Sequence, residues 1–252
     1  MRIEDLDRPR EAAGAADRIL ATLDAFGFEW DGPVVRQSDR VQLYGAALEA
    51  LRDRDLLFEC SCSRMALADE ERYPGNCRVR PVHSGAATAT RLRVEPGRIM
   101  LCDRVQGAFR QDVAAAVGDF VLRRRDGVFA YVLAVVVDDA AQEVTEVVRG
   151  ADLLDNTPRQ IHLQRLLGLP TPGYAHLPVL IEADGAKLAK SRRSVPVEPE
   201  AACAHLAAVF ELLGLAPPPD LRHGSIADAW RWAVAHWDIA QVPRSLTLRL
   251  PH

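Results

Sequence analysis

The chain has 252 residues, 48% of them apolar and 26% charged, with a net charge of −4 and a pI near 6.0. That is enough for one large α/β domain, or one domain with a small appendage, around a sizeable core. No apolar run approaches the roughly 20 residues that span a bilayer, the N-terminus Met1-Arg2-Ile3-Glu4-Asp5-Leu6-Asp7 has no signal-peptide core, and the mild acidity gives no support for indiscriminate nucleic-acid binding. A cytoplasmic protein is expected, in which thiols stay reduced and clustered cysteines point to metal rather than to disulfides.

In chain order, residues 2–6 read as a short strand running into an acidic loop. The Ala-rich stretch 11–26 places Ala16, Ile19, Leu20, Leu23 and Phe26 at helical spacing before Gly27 ends it. A second helix fits 40–54, then come Leu56-Leu57-Phe58, a cysteine-rich stretch from 60 to 77, and strands near 89–95 and 99–105. Asp126-Gly127 between apolar segments predicts a hairpin with a type I′ turn, which needs positive φ at both central residues. Arg123-Arg124-Arg125 reads as the solvated edge of that hairpin. Residues 131–137 are β-branched, and periodicity leaves strand and helix both open. Residues 144–148 read as a buried strand. Thr157-Pro158 reads as an N-cap followed by proline at the first position of a helix that runs to Gly168. Residues 177–181 read as a strand, and two helices over 200–213 and 225–236 flank Pro217-Pro218-Pro219. The alternation predicts a mostly parallel α/β sheet with a helical tail. The expected division is 1–199 and 200–252, with a cysteine-bearing insertion at about 57–82.

Two groups of residues carry chemistry. Cys60-Ser61-Cys62 and Tyr73-Pro74-Gly75-Asn76-Cys77 put three thiols within 18 residues, on a loop with a tight Pro-Gly turn. That pattern suits a tetrahedral zinc ion. Cys-x-Cys is too close for an easy disulfide, and the fourth ligand falls to Tyr73 or His83. Cys102 and Cys203 stand alone and read as small buried apolar residues. Of 31 basic residues only two are lysine, Lys187 and Lys190, in the run Gly185-Ala186-Lys187-Leu188-Ala189-Lys190-Ser191. Arginine is a planar fork, lysine a compact point charge on a flexible stem. A loop that follows a phosphate as its charge moves favours lysine.

Five stretches then read together. The N-terminal Arg2-Ile3-Glu4-Asp5-Leu6-Asp7, the run from Tyr131 to Val136-Val137-Asp138-Asp139, Val147-Val148-Arg149-Gly150-Ala151-Asp152, and Asn156-Thr157-Pro158-Arg159-Gln160 resemble, in this order, the catalytic domain of glutamyl-tRNA synthetases. Lys187-Leu188-Ala189-Lys190-Ser191 resembles the second class I signature, the KMSKS loop. The resemblance runs from residue 1 to about 200. Cys-x-Cys followed by Tyr-x-x-x-Cys, with no anticodon-binding domain in the sequence, narrows it to the glutamyl-queuosine tRNA(Asp) synthetases.

That resemblance implies a class I Rossmann-like catalytic domain with a zinc-binding insertion and a short helical C-terminal tail. It implies a monomeric ligase that activates L-glutamate with ATP and Mg²⁺ and esterifies queuosine in the anticodon of tRNA(Asp), with no membrane partner. Glu4 then meets the glutamate ammonium group, and Tyr131 and Arg149 are further glutamate-binding positions. Lys190, with Lys187 beside it, contacts ATP and is the catalytic cation. Cys60, Cys62, Tyr73 and Cys77 hold one structural zinc. Catalysis would rest on positioning and charge stabilisation rather than on general acid–base chemistry. The alternatives are a shortened glutamyl-tRNA synthetase and a non-catalytic, zinc-bearing tRNA-binding remnant. The remnant draws its support from one departure: the family opens with a strand and the HIGH motif, and nothing in this sequence resembles them. A further ~40 in-frame residues upstream are therefore expected, since an α/β sheet needs its central strand.

Overall fold

The computed structural model describes residues 1–7, 12–63, 65–70, 72–80, 82, 85, 87–182 and 197–249. Arg2–Ile3 (β1), Ala15–Ala25 (α1), Val35–Arg36 (β2) and Val41–Arg52 (α2) open the chain. Leu57–Cys60 (β3), the single turn Asn76–Val79 (α3) and Ala89–Leu92 (β4) carry the cysteines. Arg98–Asp103 (β5) and Gly107–Asp112 (β6) form a hairpin ahead of the turn Val113–Ala116 (α4) and Val121–Arg123 (β7). Tyr131–Ala141 (α5), Glu146–Gly150 (β8), Thr157–Leu167 (α6), Gly173–Leu177 (β9) and Val179–Ile181 (β10) follow, and then Ala202–Leu212 (α7), Ile226–His236 (α8) and Thr247–Arg249 (β11).

The parallel pairs are β1 with β2, β8 with β9, and β10 with β11. Each pair has at least one helix between its strands, as parallel strands require a crossover. The pairs β3–β4, β4–β7 and β5–β6 are antiparallel, so in place of the expected mostly parallel sheet the described strands form five small sheets, parallel where strand and helix alternate and antiparallel through the cysteine insertion and the hairpin. The segment after residue 199 is not helical throughout. Its α7 and α8 pack on Phe26 beside α1, and β11 returns to lie along β10.

Local differences from the sequence reading have local causes. The valine-rich stretch is the helix α5, which buries Leu133, Ala134, Val135 and Val136 against Tyr44, Leu48 and Leu122. A helix covered on most sides carries apolar residues all round, which hides its period. The strand expected over 144–148 starts later, and Val148 on β8 is 57% exposed rather than buried. Residues 177–181 split at Pro178, which has no N–H to give a ladder. The Asp126-Gly127 turn is not type I′: Gly127 alone has positive φ, at 84°. Arg124 and Val128 close a three-residue loop, with the left-handed glycine last. Arg124 there pairs with Asp7 at 2.8 Å and Asp126 at 2.6 Å. Thr157 is not the cap but a residue of α6 proper, with φ −59° and ψ −42°. Cys102 is exposed on the β5–β6 hairpin, and half-buried Cys203 donates to the Gly224 carbonyl at 3.1 Å.

The polar end of α5 ties the N-terminal part to the core. Asp138, fully buried, accepts hydrogen bonds from Gln37 Nε2 at 2.8 Å, Arg40 Nε at 2.7 Å and the Tyr44 hydroxyl at 2.7 Å. Removing one partner of a buried ion pair strands the other charge and costs about 3–5 kcal/mol. Asp138→Ala is therefore expected to lower unfolding free energy by about that much in urea titrations, and Asp138→Asn, which keeps an acceptor oxygen, by clearly less. Equal stability of the wild type and both variants would show that this junction does not hold the helices together.

Candidate active site

Arg149 lies on β8, in register with His176 on the parallel neighbour β9. The pairing places the two side chains on one face. Arg149 Nε donates to His176 Nε2 at 3.1 Å, and Nη2 donates to Thr157 Oγ1 at 2.8 Å and Gln160 Oε1 at 2.7 Å. Its guanidinium carbon stands 5.5 Å from the Tyr174 ring centroid. Each of these partners is neutral. Among the described residues no carboxylate pairs directly with Arg149; buried Asp139, already held by Arg2, acts on it only at longer range. A partly buried guanidinium with no directly paired carboxylate is a ready receptor for one.

Behind it, His176 Nδ1 bonds Asp103 Oδ2 at 2.6 Å, with both side chains fully buried. Asp103 Oδ1 accepts the backbone N–H groups of Val105, Gln106 and His176 at 3.0, 2.8 and 3.1 Å. Burial lowers the His176 pKa against the opposing pull of Asp103, so the ring is neutral. For Asp103, burial works upward but the N–H donors and His176 outweigh it and hold the carboxyl below its ordinary value. His176 therefore donates a hydrogen bond from Nδ1–H to Asp103 and offers the Nε2 lone pair to Arg149.

Tyr131 opens α5 with its hydroxyl beside the Arg149 guanidinium. Burial raises that hydroxyl's pKa against the pull of Arg149, so it remains a protonated donor. Glu4, on the loop after β1, lies within electrostatic reach of Tyr131. Its carboxylate is 41% exposed and pairs with Arg2 at 3.2 Å, while Arg2 also holds Asp139 at 2.8 Å and Gln142 at 2.9 Å. The structure thus brings Glu4, Tyr131 and Arg149 into one cluster. Lys187, Lys190 and His83 lie outside the described residues. A surface cavity of about 460 Å³ is lined by Leu6, Ser38, Val41 and Phe129 among others, and by none of Glu4, Tyr131 and Arg149. Chemistry, not concavity, marks the site.

The second cluster joins the end of β3 to α3. Cys60, Cys62 and Cys77 bring their sulfurs within 4.8 Å of one another. Cys62 and Cys77 are 3.5 Å apart, and the Tyr73 hydroxyl takes the Cys60 thiol at 3.5 Å and the Cys77 N–H at 2.8 Å. Gly75, at φ 86°, makes the turn that brings Cys77 back. Burial opposes ionisation of Cys77, but the Ser61 backbone and the Tyr73 hydroxyl outweigh it and bring the pKa down to about 6. Burial and the neighbouring sulfurs push Cys62 up to about 11. Three convergent sulfurs with a phenol at their edge, and no acid in the group, are a donor set that fits a soft divalent cation such as zinc.

The sequence reading missed Asp103 and His176. Thr157 and Gln160 fall in a stretch that carries the family resemblance, but no pattern in the sequence marks them as partners of Arg149.

Comparison with known proteins gives the family and the fold. Residues 1–202 match the family described as tRNA synthetases class I (E and Q), catalytic domain. The chain is 50% identical over 258 residues to the glutamyl-Q tRNA(Asp) synthetase of Aromatoleum aromaticum and 50% identical over 249 residues to that of Pseudomonas aeruginosa. These alignments cover 100% and 98% of the chain, and 82% and 85% of the relatives. Among solved structures it superposes on a glutamate tRNA ligase from Elizabethkingia meningosepticum, crystallised with its amino acid, with a TM-score of 0.79 at 21% identity. That superposition covers 99% of the chain and only 60% of the solved one, a likeness of fold.

Proposed function

The chain belongs to the class I tRNA synthetases of the glutamate and glutamine type, within them to the glutamyl-Q tRNA(Asp) synthetase family, and we propose that it activates L-glutamate with ATP and transfers the glutamyl group to queuosine in the anticodon of tRNA(Asp). The observation that carries this reading is the guanidinium of Arg149, pinned by neutral acceptors and left without a carboxylate among the described residues. The substrate supplies the missing anion.

In this reading Arg149 binds one glutamate carboxylate, Tyr131 donates to the same group, and Glu4 faces the ammonium group. A carboxylate oxygen of glutamate attacks the α-phosphate of ATP and pyrophosphate leaves, giving glutamyl-adenylate. A hydroxyl of the queuosine cyclopentenediol then takes the acyl group and releases AMP. Mg²⁺ bound to the triphosphate screens its charge. Lys190, with Lys187, supplies positive charge as the leaving pyrophosphate becomes more negative. The catalytic unit is assigned to 1–199 with the insertion at 57–82, and the remaining 200–252 to an appended tail, in a monomeric cytoplasmic enzyme. Cys60, Cys62 and Cys77, with Tyr73 as the fourth donor, hold one structural zinc. The relatives carry the synthetase name, which does not favour the non-catalytic remnant.

Arg149→Leu should lose glutamate-dependent ATP–pyrophosphate exchange, mostly in kcat/KM, and the wild type should reject glutamine by ~10⁴-fold or more, since a neutral amide leaves a buried charge unpaired. Equal exchange with glutamine would end the glutamate assignment. Acceptor identity is read by esterifying tRNA(Asp) with and without queuosine: a product that survives without the modified base points instead to a shortened glutamyl-tRNA synthetase.

Lys190→Ala should slow adenylate formation by more than tenfold, because losing one charge-stabilising donor commonly costs ~2.7–4 kcal/mol of transition-state binding. Wild-type exchange in that variant would return both lysines to the surface. Metal analysis of the purified, reduced protein should find one zinc per chain, lost in Cys77→Ser and held more weakly in Tyr73→Phe. Zinc-free wild type would remove the metal from the proposal.

A further inference from the structure

We propose that Asp103 and His176 form a positioning pair that fixes the Arg149 fork for its anionic substrate while keeping its charge available. The inference rests on the reading of Arg149 as the carboxylate receptor. It adds two residues that never touch substrate: both side chains are fully buried, behind the guanidinium they orient.

Asp103 closes β5, at the start of the β5–β6 turn. Three backbone N–H groups fix Oδ1, leaving Oδ2 for the imidazole. The carboxylate is thus placed by main chain rather than by flexible partners. Since Oδ2 accepts only, it selects the His176 tautomer with the proton on Nδ1 and turns the Nε2 lone pair toward Arg149. Thr157 Oγ1 lies 3.0 Å from the same nitrogen and closes the corner. A guanidinium has five N–H groups. Three are committed here, Nε–H to His176 and both Nη2 protons to Thr157 and Gln160. One edge of the fork is held, and the two N–H groups of Nη1 remain.

The choice of orienting group matters. A carboxylate placed directly on Nε would aim the arginine equally well, but it would neutralise the charge that binding needs. An imidazole between them passes on the direction set by Asp103 and keeps the anion a ring's width away. Asp–His pairs elsewhere act by the same logic of orientation and tautomer.

The test uses the full chain and two independent readouts. In protein labelled with ¹⁵N-histidine, His176 should carry its proton on Nδ1, with Nε2 shifted as an acceptor. A proton on Nε2 overturns the proposal without reference to any ligand. Separately, dissociation constants for L-glutamate and for ATP are measured by calorimetry. His176→Leu and Asp103→Asn should weaken glutamate roughly tenfold or more, the scale on which misplaced groups are felt, and leave ATP within twofold. His176→Gln, whose Oε1 falls near the position of Nε2, should stay within about threefold of wild type for glutamate. A purely structural role would instead weaken both ligands together and would not be rescued by glutamine.

Arg149→Leu separates the two levels. If it binds glutamate as the wild type does, the carboxylate-receptor reading falls. If it loses glutamate while His176→Leu and Asp103→Asn keep it, only the positioning pair falls.

Discussion

Helix α5 buries two adjacent carboxylates, Asp138 and Asp139, and the N-terminal part of the molecule is arranged around satisfying them. Like charges side by side in a low dielectric repel, and each loses hydration, so both need cations or donors at close range. Asp138 draws Gln37, Arg40 and Tyr44, which fixes the turn before α2 and the first half of that helix. Asp139 draws Arg2 from β1. That second bond matters because β1 is only two residues long and pairs with β2 alone. So short a strand has little ladder to hold it. The ion pair to α5 stands in for the ladder, and Arg2 in turn holds Glu4. The placement of Glu4 near Tyr131 is therefore a consequence of the buried acids.

The two arginines of this region are held in opposite ways. Arg2 is surrounded by anions and works as an internal counter-ion, spending its charge within the fold. Arg149 is held by an imidazole, a hydroxyl and an amide, and keeps its charge for an outside partner. Composition cannot tell these two from one another. Only the partners do, and a substitution at Arg2 should therefore act through stability and the position of Glu4, whereas one at Arg149 acts on binding.

What could be read from sequence follows the range of the interaction that decides it. The cysteines sit within 18 residues, so spacing and a Pro-Gly turn were enough to bring them together. Helices with one apolar face, α1 and α2, matched the expected ranges within a few residues. Helix α5 stayed ambiguous because burial on most sides erased the periodicity. The exposure of Val148 is not legible in the sequence, because β-branched composition cannot say which face of a strand is covered. Arg149 and Tyr131 came from resemblance, not from pattern. His176 and Asp103 had no local signal whatever: they lie 73 residues apart, and what makes them a pair is the approach of β5 to β9.

The cysteine loop is moored by the fold before any metal is considered. Arg78 bonds Asp119 at 3.0 Å, the same carboxylate oxygen accepts the Val94 N–H at 2.8 Å, and Arg91 reaches the Asp119 carbonyl at 2.7 Å. The Arg91 guanidinium also lies 3.9 Å above the Tyr73 ring, and a side chain on Gly118 would press on the Tyr73 carbonyl at 3.1 Å. These contacts place Tyr73, and through it the backbone of Cys77, from the side of the β4–β7 sheet. Cys60 is placed by β3 itself. A cation at the three sulfurs would therefore join two segments that the sheet has already brought within bonding distance, so its loss should loosen residues 61–77 locally and leave the α/β core folded. This separates the insertion from Arg149, whose geometry depends on β5, β8, β9 and α6.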